Sequence, residues 1–381
     1  MAIDTRTDED RMILDMVCTI ARERVAPRAA EIDAVGEFPW DMKELLAEQG
    51  ILGMPFAEEY GGAGSSELTI LQVIEELAKY CATTALLLCV QQLGSLPIKL
   101  AGTEAQKQFY FPKLASGEWL AAYGLTEPGS GSDAGAMKTR AERKGDTYII
   151  NGMKHFITNA GIAHVNVVFA KTNPDATGTR GVSAFVVESD RPGFRLGRIE
   201  EKMGIRGSQT GELIFEDCEI PADNLLGREG EGFKIALGTL DRTRPGVGAQ
   251  ALGIAQGALD TAVKFSKERM QFGKPIAENQ GIQFMLADMA TQIEAARQLL
   301  YQVARMIDEG DPNVSRFSAM SKLYASDVAM RVTTDAVQIL GGYGYMKDFP
   351  VERMMRDAKI CQIYEGTNQI QRVVIARDLL K

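Results

Sequence analysis

Histidine is scarce in this chain. Only two histidines, His155 and His164, occur among 381 residues. Histidine is the usual general base near neutral pH and the commonest metal ligand. A metal site built from several histidines is therefore excluded, and a Ser-His-Asp triad is disfavoured. We expect no metal site. If the protein uses an acid or base, we expect it to be a carboxylate, and we expect a bound cofactor to supply the difficult chemistry.

Cysteine is sparse, odd in number and scattered. The five cysteines include no C-x-x-C pair. This spacing excludes structural zinc and a disulfide framework, and it is typical of a protein in a reducing compartment. They are Cys18, Cys81, Cys89, Cys218 and Cys361.

Excess positive charge and long apolar runs are also missing. The 42 basic residues face 51 acidic ones, a net charge of −9, which disfavours a nucleic-acid partner. Uninterrupted apolar runs such as residues 85–90 fall far short of the roughly 20 residues that span a bilayer. The first ten residues carry no apolar signal core and are too acidic for a transit peptide. We expect a cytoplasmic protein without membrane insertion.

The hydrophobic periodicity divides the chain into three parts. Residues 1–118 have helical spacing, residues 119–230 alternate as short strands, and residues 231–381 return to long helices. We predict an α+β multidomain protein with an all-α N-terminal domain, a middle antiparallel β-barrel or sandwich, and a C-terminal α domain resembling a four-helix bundle.

Several local patterns make sharper predictions. Residues 66–100 predict two helices with a break near residues 94–97. Thr103, with Gln106 three residues later, predicts a capping box. Asn151-Gly152 between alternating apolar residues predicts a hairpin turn.

Two common nucleotide-binding patterns are absent, and one loop stands out instead. No Walker A sequence occurs, and no G-x-G-x-x-G follows a strand, so a P-loop or Rossmann domain is disfavoured. Residues 126–133, TEPGSGSD, place hydroxyl groups, an acid and flexible backbone directly after a strand. Such a loop offers N–H and O–H donors to an anionic or heteroaromatic ligand, although a plain structured turn explains the same composition.

Taken together, the motifs resemble those of the acyl-CoA dehydrogenases, most closely the short- and medium-chain members. The resemblance spans essentially the whole chain. It rests on TEPGSGSD at 126–133, FITNA at 156–160, DRTRP at 241–245, RMQFGKP at 269–275, QILGGYG at 338–344 and RDAKICQIYEGTNQIQ at 356–371.

This resemblance implies an FAD-dependent reaction. A short- to medium-chain acyl-CoA thioester is desaturated to the trans-2-enoyl-CoA of fatty acid β-oxidation, and the electrons pass to an electron-transfer flavoprotein. It also implies a homotetramer, a dimer of dimers, in which one subunit contacts its neighbour's FAD.

The resemblance also implies a catalytic base. Glu365 matches the family's catalytic glutamate, which removes the α-proton while flavin N5 accepts the β-hydride. Some relatives carry the base elsewhere, at the position of Thr243, which cannot serve. A carboxylate base works better when burial raises its pKa towards the working pH, and a neighbouring tyrosine would exclude water.

Further roles follow position by position from the resemblance. The resemblance implies that thirteen residues contact FAD: Leu125, Thr126, Gly131, Ser132, Phe156, Thr158, Arg269, Gln271, Phe272, Gln338, Gly342, Thr367 and Gln369. Among these, Arg269, Phe272, Gln338 and Gly342 would reach the neighbouring subunit's cofactor. Those implied for the substrate are Ser132, Asp241, Arg244, Tyr364 and Gly366. For Arg244, a plain structural ion pair is the alternative.

Other functions remain open at this point. An acyl-CoA oxidase or nitroalkane oxidase would share the scaffold, although oxidases usually have longer chains and the nitroalkane enzymes carry aspartate at the position of Glu365. A catalytically silent acyl-CoA-binding or assembly protein is a second alternative, and a cofactor-free helical adaptor is a third. Residues 86–94, expected to line the acyl site, carry no charge, which favours a straight or lightly branched acyl group over a dicarboxylic one.

Overall fold

The computed structural model describes residues 7–381. Helices come first, a sheet follows, and long helices close the chain. The first helices are α1 Asp8–Ile20, α2 Ala29–Val35, α3 Trp40–Glu48, α4 Glu67–Ala78, α5 Ala82–Ala101 and α6 Glu104–Ala115. The strands of the main sheet are β1 Ala121–Gly124, β2 Arg140–Lys144, β3 Thr147–Thr158, β4 Val165–Lys171, β5 Val182–Glu188, β6 Phe194–Ile199, β7 Thr210–Pro221 and β8 Leu225–Leu226.

The C-terminal part is built from three long helices and two short ones. They are α7 Gly232–Glu268, α8 Gln280–Asp308, α9 Val314–Leu340, α10 Val351–Cys361 and α11 Asn368–Leu379, with the two-residue strands β9 Met270–Gln271 and β10 Lys274–Pro275 between α7 and α8. Buried apolar side chains of α4, α5, α7, α8 and α9 form one continuous core, so the two helical parts pack on each other.

The N-terminal helices begin where the sequence provides caps. The Thr103 side chain accepts a hydrogen bond from the Gln106 N–H, and the Gln106 side chain accepts one from the Thr103 N–H, as predicted for a capping box. A second capping box joins Thr7 and Asp10 at the start of α1.

The predicted helix break near residues 94–97 is wrong. The chain breaks at residues 79–81, and α5 runs through both Gly94 and Pro97. A Cβ at Gly94 would lie 2.6 Å from the Ala121 Cβ, so this glycine lets α5 lie directly against β1. By length and composition α5 could cross a membrane, but 78% of its apolar window is buried inside the protein. Its apolar character is that of a core helix.

The sheet is mixed. Its order is β6-β7-β3-β2-β4-β5-β8, and β1 pairs with β4 in parallel. Within residues 7–381 the end strands β6 and β8 do not pair, so the sheet is open and not a closed barrel. The α+β class with a helical domain on each side of a β domain is confirmed.

The predicted hairpin turn at Asn151-Gly152 is also wrong. β3 continues straight through this dipeptide, and the turn into it lies at residues 145–146, between β2 and β3. The pairing of β3 with β7 shifts register between Ile150 and Gly152, which is a β-bulge. A Cβ at Gly152 would lie 2.5 Å from Thr139 Oγ1, so the glycine serves a close approach of backbone.

The sequence periodicity predicts C-terminal helices over residues 249–268, 279–309, 314–341 and 368–380, and α7 is longer than the first of these. It begins at Gly232 although a regular apolar pattern starts only near residue 249, and it includes Pro245. α7 packs against α4, α5 and α9, so tertiary packing stabilises a helix that its glycine content alone would not favour. α10 has no counterpart among the predicted helices.

Candidate active site

The six residues between α10 and α11 form a tight loop that carries Glu365. Glu365 has φ +51° and Gly366 has φ +90°, so two successive residues adopt the left-handed conformation. A non-glycine residue there costs on the order of 1 kcal/mol or more and persists only when the surroundings hold it. The side chain of Thr367 caps α11 by accepting from the Ile370 N–H at 3.3 Å, and Gln369 is exposed on that helix.

Three buried side chains hold this loop by its carbonyl groups. Arg244 Nε donates to the Glu365 carbonyl at 3.2 Å. Gln371 Nε2 donates to the Glu365 carbonyl at 3.2 Å and to the Gly366 carbonyl at 2.8 Å. Lys322 Nζ donates to the Gly366 carbonyl at 2.8 Å. The donors come from α7, α11 and α9, so the loop is fixed by three helices at once.

The carboxylate of Glu365 meets α7. Thr243 Oγ1 donates to Glu365 Oε2 at 2.7 Å. Thr243, which cannot itself act as a base, thus holds the carboxylate of the candidate base. Burial raises the pKa of Glu365, and the Thr243 hydrogen bond and the charges of Arg244 and Lys322 oppose that rise. Arg244 is 3% exposed and pairs with Asp241 at 2.8 Å, which places both predicted substrate-site residues beside the loop.

The space behind Glu365 is closed by a buried polar link. The Tyr364 hydroxyl donates to Gln250 Oε1, and Gln250 Nε2 donates to the Ala82 carbonyl at 2.9 Å. The link ties the loop to α7 and to the start of α5. Burial, and after it the nearby charge of Glu365, raises the pKa of both Cys89 on α5 and Tyr123 on β1. Both side chains therefore face the same enclosed region as the carboxylate.

A second group of predicted residues gathers where β1 and β3 end. The Leu125 carbonyl accepts from Lys154 Nζ at 3.2 Å, and Lys154 is fully buried and paired with Glu127 at 2.7 Å. The His155 N–H donates to the Thr126 carbonyl at 2.8 Å. These bonds hold the loop that follows β1 against the end of β3.

This second group presents an exposed aromatic side chain and an open loop at the protein surface. Phe156 is 62% exposed at φ +57°, which is unusual for a large apolar side chain. Gly131 and Ser132 are exposed on the loop, and a Cβ added to Gly131 would meet no atom within 4 Å. Thr158 lines a small crevice with Leu87 and Val90 of α5.

A third group lies at the junction of α7 with the C-terminal end of α9. Arg269, Gln271 and Gly342 line a cavity of about 500 Å³, with the Arg269 guanidinium 5.1 Å from the Tyr343 ring centre. Phe272 projects from the same turn at φ +50° and is 98% exposed. Gln338 is exposed on the last turn of α9. Neither the loop that carries Glu365 nor its partners line this cavity, so the third group is not joined to the first within one chain.

One further cluster of potential metal ligands occurs at the sheet. His155, Glu200 and Glu212 have ligand atoms within 4.8 Å of one another. Glu200 faces Nε2 of the imidazole at 3.3 Å, whereas Glu212 faces Nδ1 at 3.6 Å. The two carboxylates thus face opposite nitrogens of the imidazole ring.

Comparison with known proteins identifies this assembly. Sequence models of three acyl-CoA dehydrogenase domains match in order: the N-terminal domain over residues 7–118, the middle domain over 122–218 and the C-terminal domain over 230–380. The chain belongs to the acyl-CoA dehydrogenase family. The boundaries at residues 118/119 and 230/231 stay predictions.

Three individual relatives of this acyl-CoA dehydrogenase family member are informative. The cyclohex-1-ene-1-carbonyl-CoA dehydrogenase of Geobacter metallireducens is 51% identical, covering 98% of each chain. The solved butyryl-CoA dehydrogenase of Megasphaera elsdenii is 48% identical with a TM-score of 0.97, covering 100% of each chain. A chain in the solved structure of the electron transferring flavoprotein of Acidaminococcus fermentans is 53% identical with a TM-score of 0.97, again covering 100% of each.

Family membership confirms the enzyme class and the cofactor. The protein is an FAD-dependent oxidoreductase that acts on CH–CH bonds. The second and third groups fit FAD: an exposed Phe156 and an open loop at Gly131 suit its flat ring system, and the Arg269 cation beside Gly342 suits its diphosphate and adenosine parts.

Residues outside the recognised motifs also belong to the first group. Sequence reasoning missed Lys322 and Gln250, and it assigned no role to Gln371. One signal existed for Lys322, because it follows Ser318 and Ala319 at helical spacing and precedes Ala325 and Ser326 on the buried face of α9. A lysine on such a face needs a buried partner.

Proposed function

We propose that this enzyme oxidises the Cα–Cβ bond of a short- to medium-chain acyl-CoA thioester to the trans-2-enoyl-CoA, with Glu365 as the base. One observation carries the proposal most strongly. The Glu365 carboxylate is fixed by Thr243 at 2.7 Å in an enclosed site where burial raises its pKa. A carboxylate in that state combines a defined position with enough basicity to take a proton from carbon.

The residues of the chain divide the work as follows. Glu365 removes the α-proton, and Thr243 keeps one carboxylate oxygen in place. Arg244, Gln371 and Lys322 hold the strained loop so that the carboxylate cannot swing away. FAD, when bound, supplies a two-electron acceptor for the β-hydrogen.

The thioester oxygen needs a donor as negative charge develops on it. Within residues 7–381 the N–H of Glu365 makes no hydrogen bond to another protein group. That N–H is therefore available to the thioester oxygen, on the same residue that takes the proton. A preset donor of this kind stabilises an enolate-like transition state more than it stabilises the ground state.

The uncharged surroundings of the base support a short, apolar acyl group. Residues 86–92 of α5 are buried and uncharged, and the Tyr364–Gln250–Ala82 link ties the loop that carries the base to the start of α5. A second carboxylate on the substrate would find no cation on this face of α5. A butyryl-CoA dehydrogenase and an alicyclic acyl-CoA dehydrogenase are both close relatives. A compact ring is therefore the main competitor of a short straight chain.

We further propose an electron-transfer flavoprotein as acceptor, a homotetramer in which each FAD touches two subunits, and a cytoplasmic location. The exposed Phe272 and the cavity lined by Arg269 lie apart from the loop that carries Glu365. This separation within one chain supports a cofactor site that two subunits complete together. Exposed apolar side chains on the C-terminal helices, such as Phe284 at 60% and Leu379 at 63%, support burial of these helices between subunits. The similar chain in the Acidaminococcus structure supports the acceptor.

Anaerobic flavin reduction tests the reaction and the substrate together. The purified holoenzyme is mixed with butyryl-, octanoyl-, glutaryl- and cyclohexanecarbonyl-CoA, and kcat/KM is compared with an electron-transfer flavoprotein as acceptor. We expect butyryl-CoA or a neighbouring straight chain to bleach the flavin fastest. A preference for glutaryl- or cyclohexanecarbonyl-CoA would contradict the proposed substrate, and rapid peroxide formation in air would favour an oxidase.

A further inference from the structure

We propose that Lys322 is a positioning residue for the base: its buried ammonium group holds the Gly366 carbonyl and favours the ionised form of Glu365. The proposal rests on the function assigned to Glu365 above. It concerns a residue of α9 that lies outside every recognised motif.

Lys322 is buried in an unusual way. Its side chain is fully buried, yet within residues 7–381 no carboxylate oxygen lies within 4.0 Å of Nζ. Its partners are neutral: the Gly366 carbonyl at 2.8 Å and Asn368 Oδ1 at 2.9 Å. Lys154, the other fully buried lysine, has Glu127 at 2.7 Å. A buried lysine is normally paired with a carboxylate. The negative charge that compensates Lys322 must therefore lie beyond 4.0 Å, behind its neutral hydrogen-bond partners.

Two carboxylates are near enough to supply that charge. Asp327 is joined to Lys322 through Asn368, but its side chain is 38% exposed, and it already binds Arg372 at 3.3 Å. Glu365 is joined through the Gly366 peptide, and within the described chain no cation lies within 4.0 Å of its carboxylate. Within the described residues Glu365 is thus a partly buried anion without a direct cation, and Lys322 is a buried cation without a direct anion.

The other elements around the base carry one further cation. Arg244 on α7 also favours ionised Glu365, and more strongly than Lys322 does, but its guanidinium is already paired with Asp241 at 2.8 Å. Cys89 on α5, Tyr123 on β1 and Cys361 on α10 are neutral, because burial raises the pKa of each. Burial lowers the pKa of Lys322 to about 8, and the charge of Glu365 opposes that shift. Among the described residues near the base, Lys322 is therefore the cation that makes no direct ion pair with a carboxylate.

Gln371 offers a matched control. Its Nε2 donates to the same Gly366 carbonyl at the same 2.8 Å, and its side chain is also fully buried. Lys322→Met and Gln371→Met each remove one hydrogen bond to this carbonyl with a side chain of similar volume. Only the lysine variant also removes a positive charge.

The first readout is the ionisation of Glu365 itself. The infrared band of the protonated carboxyl group is followed against pH in substrate-free holoenzyme, with Glu365→Gln subtracted to assign it. We expect Lys322→Met to raise the midpoint by about one pH unit, the shift typical of removing a nearby opposite charge. Gln371→Met should move it by no more than a few tenths of a unit. Equal shifts in the two variants would overturn the proposal.

The second readout is the pH profile of flavin reduction by acyl-CoA. In Lys322→Met the acidic limb of kcat/KM should move up with the infrared midpoint, and the rate well above that limb should fall about as much as in Gln371→Met, because each variant loses one hydrogen bond to the Gly366 carbonyl. In Gln371→Met the rate should fall at all pH values without movement of the limb. If Lys322→Met fails to fold, Lys322→Gln keeps a donor without the charge and should move the infrared midpoint in the same way; an unmoved midpoint refutes the proposal. Should Glu365→Gln retain turnover, the proposed function fails, while the infrared titration still reports on Lys322.

Discussion

The hydrogen bond from Thr243 to Glu365 makes a quantitative prediction. Thr243 is 3% exposed and donates to Glu365 Oε2 at 2.7 Å. Thr243→Val keeps the shape of the side chain and removes the donor. A hydrogen bond to a charged group contributes about 1.5–3 kcal/mol, and one pKa unit is about 1.4 kcal/mol. Because the bond favours the ionised carboxylate, its loss should raise the pKa of Glu365 by about one to two units.

The assay is the pH dependence of kcat/KM for flavin reduction. The base must be ionised, so the acidic limb of the profile should move to higher pH in Thr243→Val. At one pH unit below the midpoint of the new limb, kcat/KM of Thr243→Val should be about tenfold below its plateau value. Well above that midpoint the variant and the parent should have similar kcat/KM. Rates at saturating substrate should show the same pattern.

Thr239→Val is the matched control. Thr239 lies one turn earlier on α7, is fully buried, and donates to the Ile235 carbonyl at 2.9 Å instead of to Glu365. Both variants lose a buried hydroxyl, but only one loses a contact to the base. If the two profiles have the same limb, the electrostatic reasoning about Glu365 is refuted.

Two further predictions concern buried charges away from the base. Glu127→Gln removes the anion that pairs with fully buried Lys154, so urea unfolding should show a loss of about 3–5 kcal/mol. Glu142→Gln alters an exposed pair 3.9 Å long and should cost almost nothing, so similar losses in the two variants would contradict the assignment. Burial raises the pKa of Glu67 to about 7 from an ordinary 4.5, so the folded state binds this proton more tightly and the stability falls as pH rises between these values. Glu67→Gln removes this pH dependence of the stability, so the variant should be more stable than the parent by about 3 kcal/mol at pH 8 but not at pH 4.5. A stability difference that does not change with pH would contradict the raised pKa of Glu67.

The sequence predicted the order of the domains because the helical period of the first and last parts differs from the alternating period of the middle part. It failed where tertiary contacts outweigh local preference. Asn151-Gly152 has the composition of a turn, yet Gly152 is needed where β3 passes Thr139. Gly94 and Pro97 have the composition of a break, yet α5 continues because the glycine fits against β1 and the helix is enclosed. Neither contact is visible in a local window.

The part of the candidate site that lies within contiguous sequence motifs could be predicted from the sequence. Glu365 and its neighbours were found from one segment, and the structure adds what comes from distant helices. Lys322 is 43 residues from Glu365 and Gln250 is 114 residues from Tyr364, so no local pattern joins them. Thr243 was dismissed because it cannot be a base. The structure shows that a residue at that position can act on the base through a hydrogen bond.

The most direct test of the account is the anaerobic reduction of flavin in Glu365→Gln. The variant keeps the size of the side chain and loses the proton acceptor. We predict that it binds FAD and butyryl-CoA with affinities close to those of the parent, while the rate of flavin bleaching falls by roughly 10²–10⁴-fold or more at every pH. Bleaching at a rate near that of the parent would contradict the claim that Glu365 is the base.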